Sequence, residues 1–270
     1  MNEMKLAFIG GGAMCEAIII GALKASFIKP KNIFVGDPTA ARREYLEGKY
    51  KINTFADNIL AIKDADYIVL SIKPQYAKEV INENLVKSIN KKATIISIMG
   101  SVDIEALENL IPNKSIIRVM PNTPLAIGSG VSALAKNNLV QENAFEFAKS
   151  LFACAGEIVV VDEKYMEAIT AVSGCGPGYV FVLIDALADA GVNAGLPRDM
   201  AIKLAAGTFA GAGKMVIETG KHPAVLRDQV TSPGGTTIAG IYELEKNGVR
   251  AAMYDAVNAV LEKSEKLKGK

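Results

Sequence analysis

Histidine occurs once in the 270 residues, as His222, and tryptophan not at all. A lone histidine argues against a His-based metal site and against a Ser-His-Asp triad, so no metal site is expected. Cysteine is scarce too: Cys15, Cys154 and Cys175 form no CxxC pair and cannot all pair with one another. That pattern argues against a disulfide scaffold or a zinc knuckle and fits a chain kept reduced in the cytoplasm. An excess of one charge is missing as well, since 30 Lys+Arg stand against 29 Asp+Glu. With a pI near 7.6, no bulk charge drives binding to nucleic acid or to a membrane surface. The first apolar run, Leu6-Ala7-Phe8-Ile9, ends in glycines and lacks a cationic lead and a cleavage site, so it does not read as a leader. The run around Ile18 stops at Lys24, well short of a membrane span.

What is present is a globular composition, 50% hydrophobic and 22% charged, at a length that suits about two domains. Short runs rich in Ile and Val predict strands at 5–9, 32–35, 66–72, 93–98, 115–119, 130–135 and 157–161. They lack strict alternation, as strands buried on both faces do. Helical stretches between them, such as 13–25 and 103–110, make this an α/β arrangement with a mainly parallel sheet. Beyond Glu163 the strand signals stop, and 179–190, 199–218 and 249–266 carry helical spacing. The expectation is a dinucleotide-binding domain over 1–162 and an all-helical domain over 163–270. The lysines at 263, 266, 268 and 270 suit the end of a last helix, where cations favour the dipole.

The stretch 201–217 is apolar nearly all round and contains Gly207, Gly211 and Gly213. Each interior helix glycine costs about 1 kcal/mol relative to alanine. A helix without a polar face must be buried, either in the core of its own chain or against a second copy. The mean hydropathy of +0.23 fits buried helices and a subunit interface.

The first predicted strand runs straight into Gly10-Gly11-Gly12-Ala13-Met14-Cys15, and a helix follows. This is the G-x-G-x-x-G/A order with Cys15 at the third small position. Gly10 permits the tight turn, Gly12 leaves room for a pyrophosphate, and the helix start offers N–H groups to the phosphates. Asp37, after the second strand, either holds a ribose 2′-OH or starts the next turn and caps the helix bearing Arg42 and Arg43. Those arginines either reach a 2′-phosphate or form a solvated face, which leaves NAD and NADP both open. Ser71-Ile72-Lys73-Pro74-Gln75 and Ser97-Ile98-Met99-Gly100 follow two further strands. Their place at strand carboxyl ends puts Lys73 and its neighbours where a nicotinamide pocket would lie.

Further segments go beyond a generic dinucleotide fold: Arg118-Val119-Met120-Pro121-Asn122-Thr123-Pro124, Ser173-Gly174-Cys175-Gly176-Pro177-Gly178-Tyr179, Ala194-Gly195-Leu196-Pro197 and Asp228-Gln229-Val230-Thr231-Ser232-Pro233-Gly234-Gly235-Thr236-Thr237. With the opening loop and the Ser71 segment, they resemble pyrroline-5-carboxylate reductase across essentially the whole chain. The resemblance implies a Rossmann-type N-terminal domain and a helical C-terminal dimerisation domain. It implies reduction of the cyclic imine 1-pyrroline-5-carboxylate to L-proline, the last step of proline biosynthesis, with NADPH favoured and NADH possible. It also implies self-association as a dimer or as a decamer of five dimers, with the active site at the dimer interface. By similarity, Gly10, Gly11, Gly12, Ala13, Met14, Asp37, Asn58, Ser71, Ile72, Lys73, Pro74, Ile98, Met99 and Gly100 would contact the cofactor. Val230, Gly234, Gly235, Thr236 and Thr237 would form the substrate site. Gly100-Ser101 replaces the family's more usual Ala-Gly, Cys175 its Ser and Gly178 its Ala. Cys175 has no His or Lys activator nearby in sequence and reads as a packing residue rather than a nucleophile.

Imine reduction needs the reduced ring set against the imine carbon, a proton or hydrogen bond on the imine nitrogen, and a partner for the substrate carboxylate. Pro233 suits a first helical turn, and the glycines after it leave amides open to a carboxylate. Thr237 is the candidate catalytic residue, its hydroxyl offered to the ring nitrogen. The plainer reading of the segment is an N-cap by Ser232 or Thr231. His222, in Gly220-Lys221-His222-Pro223, is expected in a surface turn without a catalytic role. An alternative reading of the chain is a related two-domain imine or β-hydroxyacid reductase. A hydroxyacid enzyme would want a helix-borne lysine, and Lys203 and Lys214 qualify by type alone. A dinucleotide sensor without catalysis would keep Gly10 and Gly12 but not need the segment at 232–237.

Overall fold

The computed structural model describes residues 4–268. Strands and helices alternate through the first part: β1 (Leu6–Ile9), α1 (Ala13–Lys24), β2 (Ile33–Gly36), α2 (Ala40–Tyr50), β3 (Asn53–Phe55), α3 (Asn58–Ile62) and β4 (Tyr67–Leu70). Then come α4 (Ala77–Val80), α5 (Glu83–Ser88), β5 (Thr94–Ser97), α6 (Ile104–Leu110), β6 (Ser115–Met120), β7 (Gly130–Lys136), α7 (Glu142–Ala153) and β8 (Gly156–Val160). Helices alone follow: α8 (Met166–Ile169), a π-helical turn (Thr170–Gly174), α9 (Gly176–Asn193), α10 (Arg198–Thr219), α11 (Pro223–Gln229), α12 (Thr236–Lys246) and α13 (Val249–Lys268). Lys270 lies outside the described residues.

The strands form one sheet in the order β3-β2-β1-β4-β5-β6-β7-β8. Its first six strands follow the doubly wound dinucleotide-binding order, with the reversal between β1 and β4. Leu6 and Phe8 face one layer, with Ile18 and Ile19 of α1 and Phe145 and Phe152 of α7. Ala7 and Ile9 face the other, with Ile62, Leu85 and Leu107. Both faces of β1 are therefore covered, which is why its residues do not alternate with polar ones.

The structure refines the sequence expectations in specific places. β3 adds a three-residue strand, Asn53–Phe55, that is half-buried and polar at its start. β7 runs antiparallel to β6. Only a 3-10 turn (Thr123–Ile127) separates them, and a parallel crossover needs a dozen residues or more. The helix expected from 103 starts at Ile104, because the Asp103 carboxylate caps it by accepting from the N–H of Ala106 at 2.9 Å.

The chain divides into two compact units. Among the described residues, the first runs to Gly174 and takes in 263–268; the second is Cys175–Glu262. The first thus extends past residue 162, since Met166 and Ala171 are fully buried. In the second unit, α9 and α10 pack through Ala188, Ala201 and Ala205, joined by Ile184, Val192 and Leu196.

The second unit by itself does not make 201–217 a core helix. Along α10, Ala201 and Ala205 are buried, while Ile217 is 68% exposed, as is Phe181 of α9 at 63%. An open apolar groove of about 500 Å³ runs between these helices, lined by Val180, Ile184, Phe209, Gly213 and Val216. Among the described residues, the helical stretches Glu163–Asn193 and Arg198–Thr219 are long and apolar enough to cross a membrane by length and composition.

Candidate active site

The turn after β1 is fixed by backbone geometry. Gly10 has φ +96, and a β-carbon there would stand 2.7 Å from the carbonyl oxygen of Ser71. Its N–H donates to the Gly36 carbonyl at 2.8 Å. The Ser71 hydroxyl lies 2.6 Å from the Gly10 carbonyl oxygen and 3.0 Å from that of Ile9. These contacts join the ends of β1, β2 and β4 at the topological switch point, where such sheets bind ligands.

Gly12 is exposed, and a β-carbon on it would meet nothing within 4 Å. It is the N-cap of α1, and no side chain caps that helix. The first-turn amides and the positive end of the helix dipole are thus left for an anion. Cys15 is fully buried behind them, and burial pushes its thiol well above the usual range. It fills the small-residue position of the motif and is inert as a nucleophile there.

Asp37 starts the turn toward α2 and also holds the glycine loop. Its Oδ2 accepts from Gly11 N at 2.8 Å, and its Oδ1 from Thr39 N at 2.9 Å. The N-cap of α2 is Thr39 rather than Asp37. Asn58 starts α3 close against Gly36, and its side-chain oxygen is buried without a hydrogen-bond partner. Ile98 N donates to the Leu70 carbonyl at 3.1 Å. Met99 is buried beside half-buried Ile98 and Gly100, and Lys73 and Pro74 are exposed after β4. The structure brings the residues expected to contact the nucleotide, from Gly10 to Gly100, to the carboxyl edge of the sheet.

Sequence reasoning missed what Arg42 and Glu16 do. Arg42 Nε donates to the Gly11 carbonyl at 2.5 Å and Nη2 to Glu16 Oε2 at 2.6 Å. The hydroxyls of Tyr45 and Tyr50 also donate to Glu16 Oε1, at 2.9 and 2.5 Å. Burial disfavours the charged carboxylate, but hydrogen bonds from Tyr50, Arg42 and Tyr45 outweigh it and bring its pKa down to about 2. Arg43 donates to the Asp37 carbonyl at 2.8 Å. Neither arginine is a free, solvated side chain, one of the two readings open for them.

The substrate set lies in the second unit and is described by itself. Val230 ends α11 and is 61% exposed. The Gly235 N–H donates to the Ser232 carbonyl at 3.0 Å, and Gly234 has φ +66. This is a turn with proline second and a positive-φ glycine third, as in a type II turn. Pro233 therefore sits in that turn and not in a first helical turn. Gly235 is the N-cap of α12, and no side chain caps the helix. The N-cap expected from Ser232 or Thr231 is absent, because the Thr231 hydroxyl instead donates back toward the Arg227 and Asp228 carbonyls. Thr236 and Thr237 open α12 and are exposed. His222 caps α11, its Nδ1 accepting from Ala224 N at 3.2 Å. Among the described residues, no group of three or more His, Cys, Asp or Glu side chains is placed to hold a metal ion.

The chain is 42% identical over 265 residues to the pyrroline-5-carboxylate reductase of Synechocystis, covering 98% of each protein. It belongs to the pyrroline-5-carboxylate reductase family. The family's dimerisation model matches residues 163–267, and a model described as NADP oxidoreductase coenzyme F420-dependent matches 5–101. The pyrroline-5-carboxylate reductase of Escherichia coli is 38% identical, covering 98% of each chain. A crystal structure of the Plasmodium falciparum pyrroline carboxylate reductase with NADP bound covers 99% of each chain at 34% identity, with a TM-score of 0.90.

Proposed function

We propose that this member of the pyrroline-5-carboxylate reductase family reduces 1-pyrroline-5-carboxylate to L-proline with NADPH, the last step of proline biosynthesis. The full-length identity to reductases of that name carries the reading. The nucleotide site fits the cofactor on the chain's own geometry. Gly12 opens onto free space, α1 begins without a side-chain cap, and the Asn58 oxygen is buried without a partner. The amides of Gly12, Ala13 and Met14 would hold the pyrophosphate, and Asp37 and Asn58 the adenosine side. Ser71, Ile72, Lys73, Pro74, Ile98, Met99 and Gly100 would line the nicotinamide end. When bound, the reduced nicotinamide supplies the hydride.

The chain's remaining tasks fall to 230–237. The uncapped first turn of α12 would take the substrate carboxylate through the amides of Thr236 and Thr237, with Val230, Gly234 and Gly235 shaping the floor. The Thr237 hydroxyl would donate to the ring nitrogen. A cyclic imine that arrives protonated needs no stronger acid, and His222 is already used as a helix cap.

The functional division we propose is 1–162 for the nucleotide and 163–270 for substrate and self-association. A second copy would cover α9 and α10. The dimerisation model spans these same residues, which favours a partner chain over a bilayer for their apolar faces. The assembly would be a cytoplasmic dimer, or a decamer of five dimers, and light scattering distinguishes the two.

The test is NADPH consumption with 1-pyrroline-5-carboxylate beside pyruvate-type and hydroxyacid substrates. Turnover confined to the imine is expected, with Thr237→Ala lowering kcat/KM by roughly 10–1000-fold. Nucleotide binding without turnover on the imine would overturn the reading.

A further inference from the structure

The peptide planes of the glycine loop are each held by a side chain from elsewhere in the first unit. The carbonyl oxygen of Gly10 meets the Ser71 hydroxyl at 2.6 Å, and the N–H of Gly11 meets Asp37 Oδ2 at 2.8 Å. The next carbonyl, of Gly11, accepts from Arg42 Nε at 2.5 Å. The one after, of Gly12, accepts from Arg42 Nη2 at 3.3 Å and from the N–H of Glu16 at 3.0 Å.

A trans peptide points its N–H opposite to its C=O, and no cis bond occurs among the described residues. Turning the Gly11 and Gly12 carbonyls toward Arg42 therefore turns the N–H groups of Gly12 and Ala13 the other way. A β-carbon on Gly12 would meet nothing within 4 Å, so no neighbouring group crowds the loop at that residue. Glycine is the residue most free to let a peptide plane rotate, so the loop's own sequence does not fix the direction of the Gly11 carbonyl, whereas the Gly12 carbonyl is also held by the first hydrogen bond of α1, from the N–H of Glu16.

We propose that Arg42, aimed by Glu16, is a positioning residue that presets the glycine-loop amides for the dinucleotide pyrophosphate and does not itself bind the adenosine 2′-phosphate. The inference rests on the nucleotide-site reading above. Glu16 is suited to aim it: its carboxylate is 16% exposed, and its Oε2 lies 2.6 Å from Arg42 Nη2. The Tyr45 and Tyr50 hydroxyls occupy its other oxygen. The guanidinium can reach both carbonyls at once because its N–H groups form a rigid fork; a lysine offers one point charge.

The two roles predict different losses. A residue that sets the amides acts on the pyrophosphate, which NADPH and NADH share. A residue that binds the 2′-phosphate acts on NADPH alone. Calorimetric titration of the full-length protein with each nucleotide decides between them, on wild type, Arg42→Met, Arg42→Lys and Glu16→Gln. We expect Arg42→Met to raise Kd for NADPH and for NADH by the same factor, about tenfold. The nucleotide KM should rise in step while kcat stays within about twofold, and Arg42→Lys should restore only part of the loss. Glu16→Gln should show a smaller loss, again equal for both nucleotides, and it carries the comparison should Arg42→Met fail to fold. A loss confined to NADPH, or unchanged affinity for both, would overturn the role given to Arg42. Wild-type protein that binds neither nucleotide would instead overturn the nucleotide site itself, and this inference with it.

Discussion

Arg118 Nη1 lies 2.7 Å from Glu163 Oε1, with the arginine side chain 1% exposed in the middle of the sheet. The same carboxylate oxygen accepts from Ile104 N at 3.1 Å, and Arg118 Nη2 reaches Glu167 Oε1 at 3.1 Å. Ser264 of α13 donates to the other oxygen of Glu167. One buried cation thus ties β6 to the start of α6, to the turn after β8 and to the last helix. Removing it leaves two carboxylates facing a gap. Arg118→Ala should cost about 3 kcal/mol of stability, read as a lower midpoint in urea unfolding. An unchanged midpoint would show the cluster to be dispensable.

Gly36 should tolerate no side chain. A β-carbon there would stand 2.3 Å from Asn58 Oδ1 and 3.1 Å from its Cα. Gly36→Ala must push the start of α3 outward, at about 1–3 kcal/mol. Displacing Asn58 should also weaken NADPH binding, by about tenfold. The double variant Gly36→Ala/Asn58→Ala should recover part of the thermal stability without recovering affinity. Recovery of both would remove Asn58 from the nucleotide site.

Acid should loosen the junction of α1 and α2. The Glu16 carboxyl falls from an ordinary 4.5 to about 2 in the folded chain. Its contribution to stability is therefore complete above pH 4.5 and is lost as pH drops toward 2. The amount is of order 2 kcal/mol, the scale of hydrogen bonds to a charged group. Glu16→Gln should flatten the pH dependence of the unfolding midpoint across that window, and an unaltered slope would contradict the assignment.

Gly211 offers a test of what covers α10. Within the chain, a β-carbon at Gly207, Gly211 or Gly213 meets nothing within 4 Å. A solvent-facing helix would gain about 1 kcal/mol from Gly211→Ala. We expect the reverse: a second copy packed close to the backbone leaves no room, so the variant should dissociate at higher concentration. Sedimentation across a dilution series reads the outcome, and a tighter dimer would refute close packing at this position.

Much of the nucleotide half could be read from residues in order. Leu6, Phe8, Ala7 and Ile9 need cover on both sides, and the glycines that follow need a helix start, so strand, turn and helix come as one unit. What could not be read depends on distant pairs. Arg42 and Glu16 are far apart in sequence, and nothing local to Arg42 distinguishes a clamp on two carbonyls from a solvated arginine. β3 escaped because Asn53 and Thr54 give an edge strand no apolar signature. Pro233 was misplaced because proline suits a first helical turn and the second position of a turn equally, and the φ of Gly234 decided between them. The reversal of β7 was legible in principle, since the segment between Met120 and Gly130 is too short for a crossover. Arg118 in a run of Ile and Val was a signal too, for a buried strand carries a cation only when carboxylates wait for it.

The bare sides of α9 and α10 tie the protein's durability to how much of it there is. When each copy supplies the other's missing cover, every tenfold dilution takes about 1.4 kcal/mol from the assembled form. Thawed stocks, dilute rate assays and concentrated solutions would then hold different fractions of intact enzyme. A melting temperature for this chain would be a complete statement only when its molarity is given beside it.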